Sequence, residues 1–388
     1  MGRTGWGEVP HPTGSSRSLL AVAPQELDPR AVAAFRLHRH GPPARLAGGA
    51  VEAASAVCGL QAQVMSCADL QAWARCSKLA PGDLQRALVD EKSLLRTWTM
   101  RGTLHVLSPS QYALFIEGFG RHWEPGGAWF RAFGITPNEY RVLLEGIDQA
   151  LDGQVLSRAE LTDALSRRRG AHLAEELRSG FGELLKPAAR MGLLINGPTR
   201  GQEVTFTSPG PLPAVDPATA PAELLRSYLD RFGPATKEDY ARWLGQRLMR
   251  PVNDAFAALA RDLTEVVVSG RRMWALSSDL DQLQRRADGL PTILLPGFDP
   301  YLLGHADRDH IAPADLRQRI YREAGWISPT VLADGVAAGT WEHRVEGQSL
   351  SVIVRPFGAL SLGQRDGVEA EAQRLAVFFD RQLALTWE

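Results

Sequence analysis

The sequence predicts an α+β protein built from repeated helix–helix–helix–hairpin units, followed by a β-rich C-terminal region. Three observations carry this. Capped amphipathic segments alternate three times with paired period-two runs joined at glycine-containing turns. A length of 388 residues exceeds one ordinary core and favours more than one domain. An apolar share of 44% and a charged share of 22% are those of a globular chain.

In the first unit, Asp28-Pro29 supplies a capping carboxylate and a proline at the first helical position, and Val32 and Phe35 follow as an apolar stripe. Gly41-Pro42-Pro43 ends that helix. A second helix spans about 49–59, a third begins near Cys67 and carries Leu70 and Trp73, and a fourth follows the Pro81-Gly82-Asp83 turn. The period then changes to two, so 94–100 and 103–107 read as strands joined at Arg101-Gly102.

The same order recurs. Thr136-Pro137 opens a helix to about Leu151, and Ser157 to Glu160 has capping-box spacing. Residues 175–191 read as helix, and strands at 192–195 and 203–207 flank a Gly/Pro turn. Beyond the proline-rich stretch 209–221, helices at 222–232, 236–244 and 252–263 precede strands 265–269 and 272–276. Helices followed by a hairpin are the order of a winged helix, a helix-turn-helix with a β wing, and three copies argue for tandem units.

The expected division is a flexible tail at 1–26, winged-helix units at 27–130, 131–212 and 213–290, and a C-terminal region at 291–388. In that last region strands at 326–332, 339–345 and 350–355 precede a closing helix at 368–385, with Leu375, Phe378, Phe379 and Leu383 as its apolar face.

The charges almost cancel, 43 Lys+Arg against 44 Asp+Glu, so net charge alone gives no support to nucleic-acid binding. All but four of the basic residues are arginine, the exceptions being Lys78, Lys92, Lys186 and Lys237, and local basic surfaces remain open. Cys58, Cys67 and Cys76 lack a CxxC pair and read as buried thiols in a reducing compartment. No run is long and apolar enough for a membrane span, so a cytoplasmic protein is expected. GxxxxGK, HExxH and GxSxG are absent, which disfavours nucleotide hydrolysis, zinc proteolysis and nucleophile-elbow chemistry.

Gln61-Ala62-Gln63 is the most informative stretch. Two amides cannot abstract a proton at neutral pH, but each offers a carbonyl acceptor and an NH2 donor, which suits holding a water. Side chains two apart share a face only in an extended segment, so the pair is expected where the helix ends, after Gly59.

Gly59-Leu60-Gln61-Ala62-Gln63, the run from Arg96 to His105, and Leu294 to Gly304 with Asp307-Arg308 together resemble the AlkZ/YcaQ-type tandem winged-helix DNA glycosylases, over about 27–388. The resemblance implies a C-shaped molecule that excises alkylated purines from double-stranded DNA, including interstrand crosslinks through guanine N7. A monomeric, cofactor-free hydrolase is expected, and a monofunctional one that leaves an abasic site, because no lysine lies near the motif to form a Schiff base, Lys78 being the nearest.

The family's active-site motif is Gln-apolar-Gln in the crosslink-unhooking branch, with Asp as the second polar residue in a sister branch. Gln61 and Gln63 fit the first branch, although Ala62 is smaller than the aliphatic residue expected between them. An N7-alkylated guanine already carries the charge that lets it leave neutral, so the enzyme's task is to position water at C1′ and stabilise a sugar cation.

Arg96, Thr97, Arg101, Gly102 and His105 on the first hairpin are candidates for DNA contact. Arg96 and Arg101 read equally as ordinary hairpin charges, and His105 as a core histidine. Arg167, Arg168 and Arg169 read as phosphate contacts or as a solvated helix end. Asp299, His305, Asp307, Asp309 and His310 invite a metal site, but the local pattern reads better as a hydrogen-bonded loop knot, and no metal is expected. Two rival functions stay open: a winged-helix transcription regulator, and a homologue that binds lesions without cutting.

Overall fold

The computed structural model describes residues 24–42, 44–169, 174–178, 182–287 and 289–388. It is a mixed assembly of helices and three sheets. The first 23 residues of the expected tail lie outside the description. Gln25–Leu27, however, is a strand paired in parallel with Leu263–Val268 of the third unit, so the ordered fold begins before the expected boundary.

Capping chemistry places most helices where the sequence does. Asp28 accepts the Arg30 N–H at the start of Pro29–His40. Thr136, Thr236 and Ser361 form full capping boxes before Pro137–Leu151, Lys237–Leu244 and Leu362–Phe379.

Three expectations are corrected. The helix expected over 175–191 is two short helices, Ala174–Arg178 and Lys186–Arg190. The C-terminal helix stops at Phe379, where Asp380 takes a left-handed conformation, and Gln382–Trp387 becomes a strand parallel to Ser349–Pro356. The two-residue hairpin turn at Arg101-Gly102 is a wider turn over Met100–Gly102 between Leu95–Trp98 and Leu104–Leu107.

The hairpins of the first two units join in one six-stranded sheet, through pairing of Arg96 with Asn196. Thr97, fully buried in the first hairpin, donates its hydroxyl to the Leu194 carbonyl at the second. The first and third units share a core in which Tyr112, Phe115 and Ile116 pack with Leu225, Tyr228 and Phe232. At Gly118 a Cβ would lie 2.8 Å from the Ala220 carbonyl, so the glycine permits that close approach. The units defined by sequence are therefore not separately cored.

Helix Met65–Arg75 links the first unit to the C-terminal sheet. Its Leu70, Trp73 and Ala74 pack on Leu294, Val331 and Trp341. At its end Arg75 forms a bidentate ion pair with Asp299, two contacts of 2.8 Å, with both side chains essentially inaccessible at 1% and 0%. Asp299 also accepts the Tyr301 N–H, capping Pro300–Leu303.

Removing one member leaves an uncompensated buried charge, so Asp299→Ala should cost about 3–5 kcal/mol of stability, read from the denaturant midpoint. The double replacement Arg75→Met/Asp299→Leu should recover most of that loss. Equal destabilisation of single and double variants would contradict this reading of the pair.

Candidate active site

Helix Ala50–Ser55 ends in a turn in which Cys58 and Gly59 both take positive φ, 54° and 111°. The chain leaves this turn extended, and Leu60–Gln61 pairs with Val106 and His105 while the Ala62 N–H donates to the Leu104 carbonyl. Alternation then sends Leu60 and Ala62 into the core and Gln61 and Gln63 to the opposite side. Ala62 fits because its surroundings are themselves small: Ala50, Ala53, Ala54, Ala68 and Ala72 line the same core.

The backbone of Gln61 is held by Gln71, whose side chain is fully buried. Gln71 Oε1 accepts the Gln61 N–H at 2.9 Å, and Gln71 Nε2 donates to the Gln61 carbonyl at 3.0 Å and to that of Gly297 at 3.2 Å. Sequence reasoning missed this residue. The available signal was a glutamine on the apolar face of a helix, a position that needs buried hydrogen-bond partners.

The Gln61 side chain is buried, with its Oε1 accepting from Arg101 Nη2 at 2.9 Å. Arg101 also donates to the Trp243 carbonyl at 3.1 Å and meets His105 Nε2 at 3.3 Å. Its backbone sits in the left-handed region at φ 57°, a conformation costly for a non-glycine residue, and this turns the guanidinium back toward Gln61. Burial, with Arg242 and Arg308 nearby, lowers the Arg101 pKa to about 10, so it stays cationic.

His105 is buried, and desolvation followed by repulsion from Arg101 lowers its pKa to about 3. Since Arg101 is a donor, Nε2 must accept, and the ring proton sits on Nδ1, facing the Thr103 carbonyl and the Thr99 hydroxyl at 3.0 Å each. His105 thus packs behind Arg101 in neutral form. The crevice that Arg101 and His105 share with Val57, Gly59, Met100, Trp243, Pro300 and Leu303 holds about 10 Å³, room for one water and not for a base.

Gln63 is exposed, and its Oε1 takes only a long 3.5 Å contact from the Leu104 N–H. Half-buried Arg96 turns inward and donates to the Ala62 carbonyl at 2.9 Å. Gly102 leaves its space to Arg190 and to the Lys186 stem, and the Lys186 ammonium is paired with Glu183. Lys186 is therefore nearer the turn in space than its position in the chain suggests. Arg190 is itself buried, stacked 4.1 Å from the Trp123 ring.

The structure thus brings Gln61, Arg101 and His105 together, leaves Gln63 exposed two residues further along, and has Arg96 bracing the strand and Thr97 facing the second unit. The side chains of Arg167, Arg168 and Arg169 lie outside the described residues. In the C-terminal loop Asp299 is engaged by Arg75, His305 Nε2 by the Phe232 carbonyl and Asp307 by Arg271, partners that all lie outside the loop, while Arg308 lies over the Tyr321 ring. Among the described residues no group of three or more His, Cys, Asp or Glu is placed to hold a metal.

Residues 54–378 match the family described as DNA glycosylase AlkZ-like, and the chain belongs to that family. Among curated proteins it is 37% identical over 362 residues to an interstrand DNA cross-link repair glycosylase of Streptomyces sahachiroi, covering 89% of this chain and 95% of that protein. Among solved structures it is similar to Streptomyces sahachiroi DNA glycosylase AlkZ, with a TM-score of 0.85 and 34% identity over 94% of this chain and all of that one.

The His105 geometry has a direct test. Its imidazole 15N resonances should report an Nδ1–H tautomer that does not titrate between pH 5 and 8. The unfolded chain binds a proton below about 6.5 that the folded chain refuses until about 3, so His105 contributes to loss of stability as pH falls through that window. Titration near pH 6.5 in the folded protein would contradict the arrangement.

Proposed function

We propose that this chain hydrolyses the N-glycosidic bond of N7-alkylated purines in double-stranded DNA, crosslinked purines included, through a water held between Gln61 and Gln63. The supporting observation is the opposite engagement of the two amides. Gln61 has its carbonyl committed to Arg101 and no partner for its NH2 among the described residues, while the Gln63 carbonyl takes only a 3.5 Å contact.

A water accepting from Gln61 Nε2 and donating to Gln63 Oε1 keeps one lone pair for C1′. The C1′–N9 bond breaks, its electron pair passes to the base and neutralises the N7 cation, an O–C1′ bond forms, and the water's proton leaves to solvent. The product is an abasic site. Unmodified guanine lacks the N7 charge and stays uncleaved, because no group in the site supplies a proton to a poor leaving base. Arg101 is a positioning residue, acting on the reaction through the Gln61 carbonyl that it holds.

The three helix–hairpin units are read as winged helices curving around the duplex, with one copy of the chain sufficient. Recognition is read as taking place in the groove, since a crosslinked base cannot leave the duplex freely.

Gln61→Ala and Gln63→Ala should each lower single-turnover base release from an N7-methylguanine duplex by about 10²–10³, with DNA affinity little changed. The wild-type rate should be flat between pH 6.5 and 8.5, since the amides are neutral and His105 and Arg101 titrate at about 3 and about 10. Borohydride should trap no covalent protein–DNA adduct, because attack comes from water and not from an amine. Sequence-selective binding without release would identify a regulator instead, and tight lesion binding without turnover a non-catalytic homologue.

A further inference from the structure

We propose that the loop from Gly245 to Met249 enters the duplex beside the glutamine pair, with Leu248 as a wedge between stacked bases and Arg242 and Arg247 on the flanking phosphates. This deepens the reading of the site just given and rests on it.

The loop starts at the site. Helix Lys237–Leu244 ends with the Trp243 carbonyl accepting from Arg101 and with Gly245 in the left-handed conformation, φ 77°. A Cβ on Gly245 would lie 2.7 Å from Arg101 Cα, so only glycine lets the two backbones touch. Whatever this loop presents therefore stands next to the residue that orients Gln61.

It presents an apolar tip in a basic setting. Leu248 is 69% exposed, with Leu362 and Val377 the only large apolar side chains more exposed among the described residues. Arg242, Arg247 and Arg250 around it are exposed. Arg242 and Arg247 have no carboxylate partner among the described residues, and Arg250 has only a loose 3.9 Å approach to exposed Asp254. Arg242 lies close enough to Arg101 and Arg308 to lower the pKa of both. Mutually repelling arginines with an exposed leucine between them match a polyanion that stacks, which is duplex DNA.

The loop also carries its own hydrogen bonds. Gln246 Oε1 accepts the N–H groups of Arg247 and Leu248 at 2.8 and 3.0 Å, and the Gln246 N–H returns to the Ala241 carbonyl at 2.9 Å. A wedge must be ordered before it meets DNA if base unstacking is not also to carry the entropy of ordering the loop. Opening the stack in this way would expose C1′ from the groove, which matters for a base that a crosslink keeps in the duplex.

The test uses the full chain and duplexes with 2-aminopurine next to N7-methylguanine. Binding of the wild type should raise 2-aminopurine fluorescence. Leu248→Ala should abolish most of that rise and slow single-turnover release about tenfold or more, with Kd within about threefold, while Leu248→Met keeps both signals. Arg242→Ala and Arg247→Ala should each weaken binding and reduce the salt dependence by about one ion. Leu248→Ala matching wild type in fluorescence and release would overturn the proposal. A wild type that unstacks the base but releases none would sink the proposed function and leave the wedge standing.

Discussion

The side-chain amide of Gln71 clasps both backbone groups of Gln61, and the rest of the candidate active site depends on that clasp. An isolated two-residue strand has little to fix its orientation. Here its N–H and carbonyl are satisfied by a fully buried amide, which reaches on to the Gly297 carbonyl of the C-terminal loop. One turn further along the same helix Arg75 grips Asp299 of that loop. The motif from the first unit and the loop near residue 300 are thus two sides of one joint, although more than 200 positions separate them.

Electrostatics in the site follow from burial. Neutral His105 backs Arg101 because desolvation forbids a second cation there, and Arg101 keeps its charge because the cost of burial is insufficient to remove it at neutral pH. A strained backbone at Arg101 and a close approach by Gly245 are both spent on aiming one guanidinium at one carbonyl oxygen. Arg101 and His105, the two ionisable groups described in contact with each other behind Gln61, thus both titrate away from neutrality, at about 10 and about 3.

Much of this was legible in the chain. Capping residues at Asp28, Thr136 and Thr236 located helix starts, and the change of period after Leu94 located the first hairpin. The pair Gln61 and Gln63 was expected on an extended segment past Gly59, as the structure has it. Partnerships across long separations were not legible: Gln71 with Gly297, Arg101 with Trp243, and the core shared by Tyr112 and Tyr228 arise from packing of whole units, which local pattern does not encode. Arg96 and Arg101 illustrate the limit, since a hairpin arginine has the same local signature whether it meets phosphate or turns inward to a carbonyl.

The most direct measurement is a crystal structure of the protein on a duplex carrying a cationic 1-azaribose abasic residue, a mimic of the sugar cation. The account predicts an ordered water within hydrogen-bond distance of Gln61 Nε2 and Gln63 Oε1 and in line with the position of C1′. A complex in which the two amides face away from that sugar, or in which a carboxylate holds the water instead, would contradict it.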